Sequence, residues 1–179
     1  VVFVEVKENY PMSLSLYDLS VPVFSHSLKA LAEILKKAKA FTEAKKIDPA
    51  VLLQSRLAPD MFPLVKQVQL ASDFAKGGSA RIAGVEVPSY ADTEASFAEL
   101  HARIEKTLAF IASIPADAFK GAESRDITVP MRPEPKVFNA MTYLRHGALP
   151  NFFFHTTTTY DILRHNGVDI GKRDFLGVY

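Results

Sequence analysis

An all-α helix bundle is the fold this sequence predicts, on three observations. Apolar residues recur at steps of three and four along four long stretches, the pattern of amphipathic helices. Proline, glycine and Asn-Gly punctuate the intervals between them. No convincing sheet pattern accompanies them, and helices that must bury one face without a sheet pack on one another.

The first helix carries the stripe Phe24, Leu28, Leu31, Leu35 and Ala38. Ser20 is placed to cap it, and Pro22 falls in the first turn, where backbone N–H groups lack internal partners. Lys36, Lys37, Lys39, Lys45 and Lys46 crowd the later turns, as the helix dipole favours, and read as a solvated face. Asp48-Pro49 opens a short helix near Pro49–Ser55, with a cap followed by proline at the first helical position. Pro59 and Pro63 separate it from a longer one near Met61–Lys76, striped by Leu64, Val68, Ala71 and Ala75 and stopped by Gly77-Gly78. The Gly77–Arg81 segment is neither a phosphate loop nor a nucleophile elbow, because the required lysine or second flanking glycine is missing.

Asp92 is expected to cap a third helix over Thr93–Ile114, with Phe97, Leu100, Ile104, Leu108 and Ile111 on one face and Glu99 four residues before Arg103, a favourable pair. Pro115 ends it. Residues 116–137 form a long connection in which Ile127–Pro130 is a short extended piece. The last helix begins near Phe138, is interrupted before Pro150, restarts there and runs to about His165, where Asn166-Gly167 stops it. The tail is a loop with Phe175 or Leu176 docked. Met12 marks a change of character, so residues 1–11 read as a non-native or disordered extension and 12–179 as one helical domain.

Composition excludes more than it proposes. Among 179 residues, Lys plus Arg number 21 against 20 Asp plus Glu, a net charge of +1 that gives no case for nucleic acid as partner. No apolar run approaches a membrane span and no signal peptide is recognisable, so a cytoplasmic protein is expected. The absence of Cys removes disulfides, thiolate-bound zinc, iron–sulfur clusters and a cysteine nucleophile.

One polar locus breaks a local rule. Thr156, Thr157, Thr158 and Thr159 are consecutive β-branched residues inside a helix, flanked by His155, Tyr160, Asp161, Arg164 and His165. His155 and Thr159 share a face with Asn151 one turn earlier, so a His, a hydroxyl and an amide can point into the bundle. The structural alternative is that the threonines bond back to carbonyls one turn earlier and His155 is a satisfied core residue. His165 suits the helix dipole as a cap. No HExxH or Glu-x-x-His pair is present. His155 and His165 lie about 15 Å apart along the helix and cannot share an ion.

The segments Met12–Asp18, Leu57–Pro63, Phe97–Leu100, Leu149–Thr157 and Ile162–Val168, with Gly171-Lys172 and Asp174–Gly177, resemble domain-of-unknown-function family 1993, within the DinB/YfiT-like superfamily. The resemblance covers Met12 onward and is most specific near the C-terminus. It implies an up-down-down-up four-helix bundle, often a homodimer. Metal-binding relatives use one His from the second helix and a His-x-x-x-His pair on the last. Here His155 matches the first member of that pair, Thr159 stands at the second, and Met61–Lys76 offers only Gln67, Gln69 and Asp73. Two of three imidazoles are missing, and amide and hydroxyl groups hold zinc or nickel poorly.

The sequence is therefore read as a dimeric small-molecule binding or structural module whose degenerate metal site has become a polar pocket. Its candidate residues are His155, Thr159, Asn151, Gln67, Gln69, Asp73 and Tyr160. No cofactor is expected. The alternative is an enzyme of hydrolase or thiol-dependent transferase type, using His155 as a base or as sole imidazole ligand to a divalent zinc or nickel ion beside Asp73. Phe152, Phe153 and Phe154 cannot all face one side of a helix, so at least one should meet another helix or a second subunit, which adds to the expectation of a dimer.

Overall fold

Helix dominates the computed structural model, which describes residues 14–131 and 133–178; the extension over residues 1–11 lies outside them. Four helices are long: α1 (Val21–Lys45), α3 (Leu64–Ala83), α4 (Phe97–Ser113) and α6 (Leu149–His165). Three are short: α2 (Pro49–Leu53), α5 (Ala140–Tyr143) and α7 (Lys172–Leu176). α3 packs on both α4 and α6, while α1 packs on α4, α6 and α7. The stripes read from the sequence supply the core: Phe24, Leu28, Leu35, Leu64, Val68, Leu100 and Ile104 are all fully buried, and Phe152 of α6 joins them. Among the described residues, no helix is long and apolar enough to cross a membrane.

Several boundaries differ from expectation. Ser20 does not cap α1 with its side chain; its buried hydroxyl donates to the Leu16 carbonyl at 2.5 Å. Asp48 does cap α2, accepting from the Ala50 N–H at 2.9 Å. α3 runs straight through Gly77-Gly78 and ends at Gly84, whose φ of 73° supplies the left-handed cap. Neither glycine ends the helix, and Gly78 serves close packing. A Cβ on Gly78 would sit 3.1 Å from the Ala148 Cβ and 3.3 Å from the Phe24 ring, so α1 and the chain before α6 approach α3 only because that atom is missing.

Asp92 is not the cap of α4. Ser96 takes that role, its Oγ accepting from the Glu99 N–H at 3.2 Å while the Glu99 carboxylate accepts from the Ala95 N–H at 2.7 Å. These two bonds satisfy donors at the helix start, in the manner of a capping box. Because Glu99 is spent on the cap, it does not pair with Arg103, which turns toward α3.

The all-α expectation omits a two-stranded antiparallel hairpin. β1 (Asp126–Val129) pairs with β2 (Lys136–Asn139), with Ile127 opposite Phe138. Phe138, expected at the start of the last helix, lies in β2, and Asn139 caps α5 by accepting from the Met141 N–H at 3.0 Å. The expected interruption before Pro150 is a π-helical turn, Leu144–Ala148, joining α5 to α6. Pro150 has no N–H to donate one turn back, and a widened turn accommodates that loss. The tail is not loop: α7 docks on α1 through a Lys37–Asp174 ion pair at 2.6 Å.

Candidate functional site

The residues singled out on α6 form a tight structural pair with α3. His155 is buried, stacked on Phe74 with ring centroids 5.5 Å apart and an interplanar angle of 18°. Its Nδ1 lies 2.7 Å from Gln67 Oε1. Gln67 Nε2 donates to the Phe62 carbonyl at 3.0 Å, which fixes the amide orientation and turns Oε1 toward the imidazole. The network therefore assigns the proton to Nδ1 and leaves Nε2 as the lone-pair nitrogen. Burial pushes the His155 pKa below its ordinary value, favouring the neutral ring that this bond requires.

Three of the four threonines spend their hydroxyls on their own helix. Thr156 donates to the Phe153 carbonyl at 3.1 Å, Thr158 to Phe154 at 2.7 Å and Thr159 to His155 at 2.9 Å. Such back-bonding lets buried threonines persist in a helix. The donor set does not fit a transition metal. One imidazole is present, both ends of the Gln67 amide are engaged, and the Thr159 hydroxyl points at a carbonyl. Among the described residues, no group of three or more His, Asp and Glu side chains converges to hold an ion.

Asp73 and Asn151 belong to a different place. Both line a cavity of about 460 Å³ bounded by α3, the hairpin and the π turn. Its apolar wall is Leu70, Phe74, Val129, Pro130, Met131 and Phe138; its polar groups include Arg81, Tyr143 and His146. Phe74 joins the two places, lining the cavity and stacking its ring on His155. Asn151 Nδ2 donates to the Gly147 carbonyl at 2.8 Å, leaving Oδ1 as its remaining acceptor. A volume of this size is typical of small-molecule sites, which are mostly apolar with a few fixed polar groups.

The remaining candidates lie elsewhere. Gln69 Nε2 donates to Glu94 at 2.8 Å, and Tyr160 meets Phe175 edge-on at 5.8 Å. Asp73 also belongs to an ionic cluster centred on Arg103, whose side chain is 2% exposed. Arg103 reaches Asp73 and Glu94 at 3.0 Å and Asp92 at 3.1 Å, while Lys76 holds Asp73 at 2.9 Å and Lys66 holds Asp92 at 2.5 Å. Burial raises the Asp92 pKa, but hydrogen bonding and charge from Lys66 and Arg103 outweigh it and hold the carboxyl below its ordinary value. Tyr90 completes the cluster, with Lys76 3.8 Å and Lys106 4.2 Å from its ring centroid. This cluster clamps the connection before α4 onto α3.

Sequence reasoning missed Arg81, Tyr143 and His146. A weak signal existed: Tyr143, Gly147 and Asn151 recur at steps of four across the Pro150 break, and Gly77 precedes Arg81 by four. Hairpin formation, which supplies Val129 and Phe138, left only the short extended piece at Ile127–Pro130.

Comparison with known proteins agrees with this architecture. The model of the domain of unknown function DUF1993 matches residues 16–176. The crystal structure of a DinB family member protein from Shewanella denitrificans, at 1.83 Å resolution, is 44% identical and superposes with a TM-score of 0.85. The match covers 92% of this chain and 93% of that one. No curated protein matches.

Proposed function

Since the chain belongs to the DUF1993 family and is DinB-like, we propose that it is a small-molecule binding module whose ligand occupies the cavity between α3, the hairpin and the π turn. In this reading the four long helices form an up-down-down-up bundle, the protein acts as a homodimer, and no metal takes part. His155 and Gln67 are then the internal brace behind the pocket, and Asn151 and Asp73 are its polar rim.

The observation that supports the reading is the cavity itself. It has about 460 Å³, walls of branched and aromatic side chains, and a small set of convergent polar groups. π turns recur at functional sites, and here the turn carries His146 and Gly147 to the cavity.

Nile red, a neutral apolar dye, tests the proposal. Its fluorescence is expected to rise on binding the wild-type chain, and Leu70→Trp, which fills the space, abolishes that rise while leaving helical circular dichroism unchanged. Equal dye binding by a folded Leu70→Trp chain removes the cavity as the site.

A further inference from the structure

We infer that the cavity takes an organic carboxylate with an apolar body, its carboxylate held by Arg81. The inference rests on the binding reading above and adds the ligand's chemical class.

Arg81 is partly buried on the cavity wall, and its described bond is a single one, from Nη1 to the Tyr143 hydroxyl at 3.3 Å. Among the described residues it forms no ion pair. Arg103 provides the contrast within the same chain: a buried guanidinium there is surrounded by three carboxylates. The one acid on the cavity wall, Asp73, is already committed to Lys76 and Arg103. Arg81 thus brings positive charge to a half-dry space with most of its five donors unspent.

Its position uses the space that Gly77 leaves open on α3. The guanidinium lies across α3 where a side chain at Gly77 would begin, so the arm folds back along the helix toward Tyr143. A terminal arginine serving only the helix dipole would extend into water.

A planar fork of donors matches a carboxylate in bidentate geometry, and such charge-assisted bonds are stronger than neutral ones. The apolar part of the same cavity is Leu70, Phe74, Val129, Pro130, Met131 and Phe138, which suits a hydrocarbon or aromatic body. A phosphate monoester carries about two charges at neutral pH. One arginine against six apolar side chains balances a monoanion better.

Isothermal titration of the full chain with decanoate, decanol and decyl phosphate, each below its micelle concentration, tests this. Decanoate is expected to bind at least about tenfold more tightly than decanol, the size of one charge-assisted contact. Arg81→Gln should lower decanoate affinity to the decanol level and leave decanol unchanged. Equal affinities for decanoate and decanol in the wild-type chain overturn the carboxylate assignment while leaving the cavity reading intact. Tighter binding of decyl phosphate than of decanoate also overturns it. Failure of all three ligands, together with failure of Nile red, overturns the cavity reading itself. The wild-type comparison decides the matter even where Arg81→Gln does not fold.

Discussion

The Arg81 guanidinium lies where a side chain at Gly77 would begin, one turn earlier on the same face of α3. Glycine in a helix interior costs about 1 kcal/mol relative to alanine. Gly77→Ala recovers that propensity, and its methyl displaces the end of a flexible side chain, not backbone or core. The melting temperature is expected to hold or rise by a few degrees, while decanoate affinity in calorimetry falls toward the Arg81→Gln level. Full carboxylate binding by a stable Gly77→Ala chain contradicts the role given to Arg81.

Gln67 and His155 should behave as one unit. Gln67→Leu leaves the buried Nδ1–H without its acceptor, which costs about 1–3 kcal/mol. Replacing both, as Gln67→Leu with His155→Phe, removes donor and acceptor together and should cost less than the sum of the single changes. Urea unfolding of the four chains measures the coupling. Additive costs would mean that the 2.7 Å contact contributes nothing to stability.

The same pair predicts a pH dependence. Burial lowers the His155 pKa below 6.5 in the folded state, so the unfolded chain takes up the proton first as pH falls. The stability from the neutral ring is fully present above about 6.5 and is lost between that value and the lower folded one. Urea midpoints measured from about pH 7.5 down to 5 should decline, and His155→Phe should flatten the decline in that window. The carboxylates of Asp92, Glu99 and Asp174, whose pKa values lie below their ordinary ones, lose their contribution at more acid pH and leave this window clear. An unchanged slope in His155→Phe would assign the decline elsewhere.

Much of the fold was legible because its helical cores follow a periodicity that local sequence records directly. Phe24, Leu28, Leu100 and Ile104 are buried where their spacing placed them. What was not legible depends on non-local partners. Gly77-Gly78 looks like a stop signal until Phe24 of α1 and Ala148 fill the space of the missing Cβ at Gly78 and Arg81 fills it at Gly77. Asp92 looks like a cap until Lys66 and Arg103 claim it. The site divided for the same reason. Helix spacing placed His155 and Thr159 together, but Thr159 answers to its own backbone. The cavity is assembled from α3, a hairpin and a π turn whose meeting no single stretch announces.

Arg103 is the most exacting charge in the molecule. Arg103→Met removes the shared cation of Asp73, Asp92 and Glu94, leaving Lys76, Lys66 and Gln69 as their partners. Loss of one partner from a fully buried pair costs about 3–5 kcal/mol. Asp73 and Asp92 are 36% and 37% exposed, so water recovers part of that here and about 2–3 kcal/mol is expected. Arg103→Lys should regain less than half, because an ammonium lacks the planar fork that spans three carboxylates. Urea unfolding decides; a loss below about 1 kcal/mol for Arg103→Met would reduce the cluster to ordinary surface pairing.

The proposed dimer is tested at Phe154. Of the three successive phenylalanines, Phe152 is fully buried against Phe24 with ring centroids 4.9 Å apart, and Phe153 is 37% exposed. Phe154 meets the His155 ring edge-on, yet 55% of it remains outside. An aromatic ring in this position contributes little to folding the single chain and much to a contact that buries it. Phe154→Ser should therefore change the melting temperature little when measured on monomer, while weakening self-association strongly. Light scattering at micromolar concentration is expected to give twice the chain mass for the wild type and the single-chain mass for Phe154→Ser. A monomeric wild type removes the dimer from the proposed function. A dimeric Phe154→Ser places the interface on another face of the bundle.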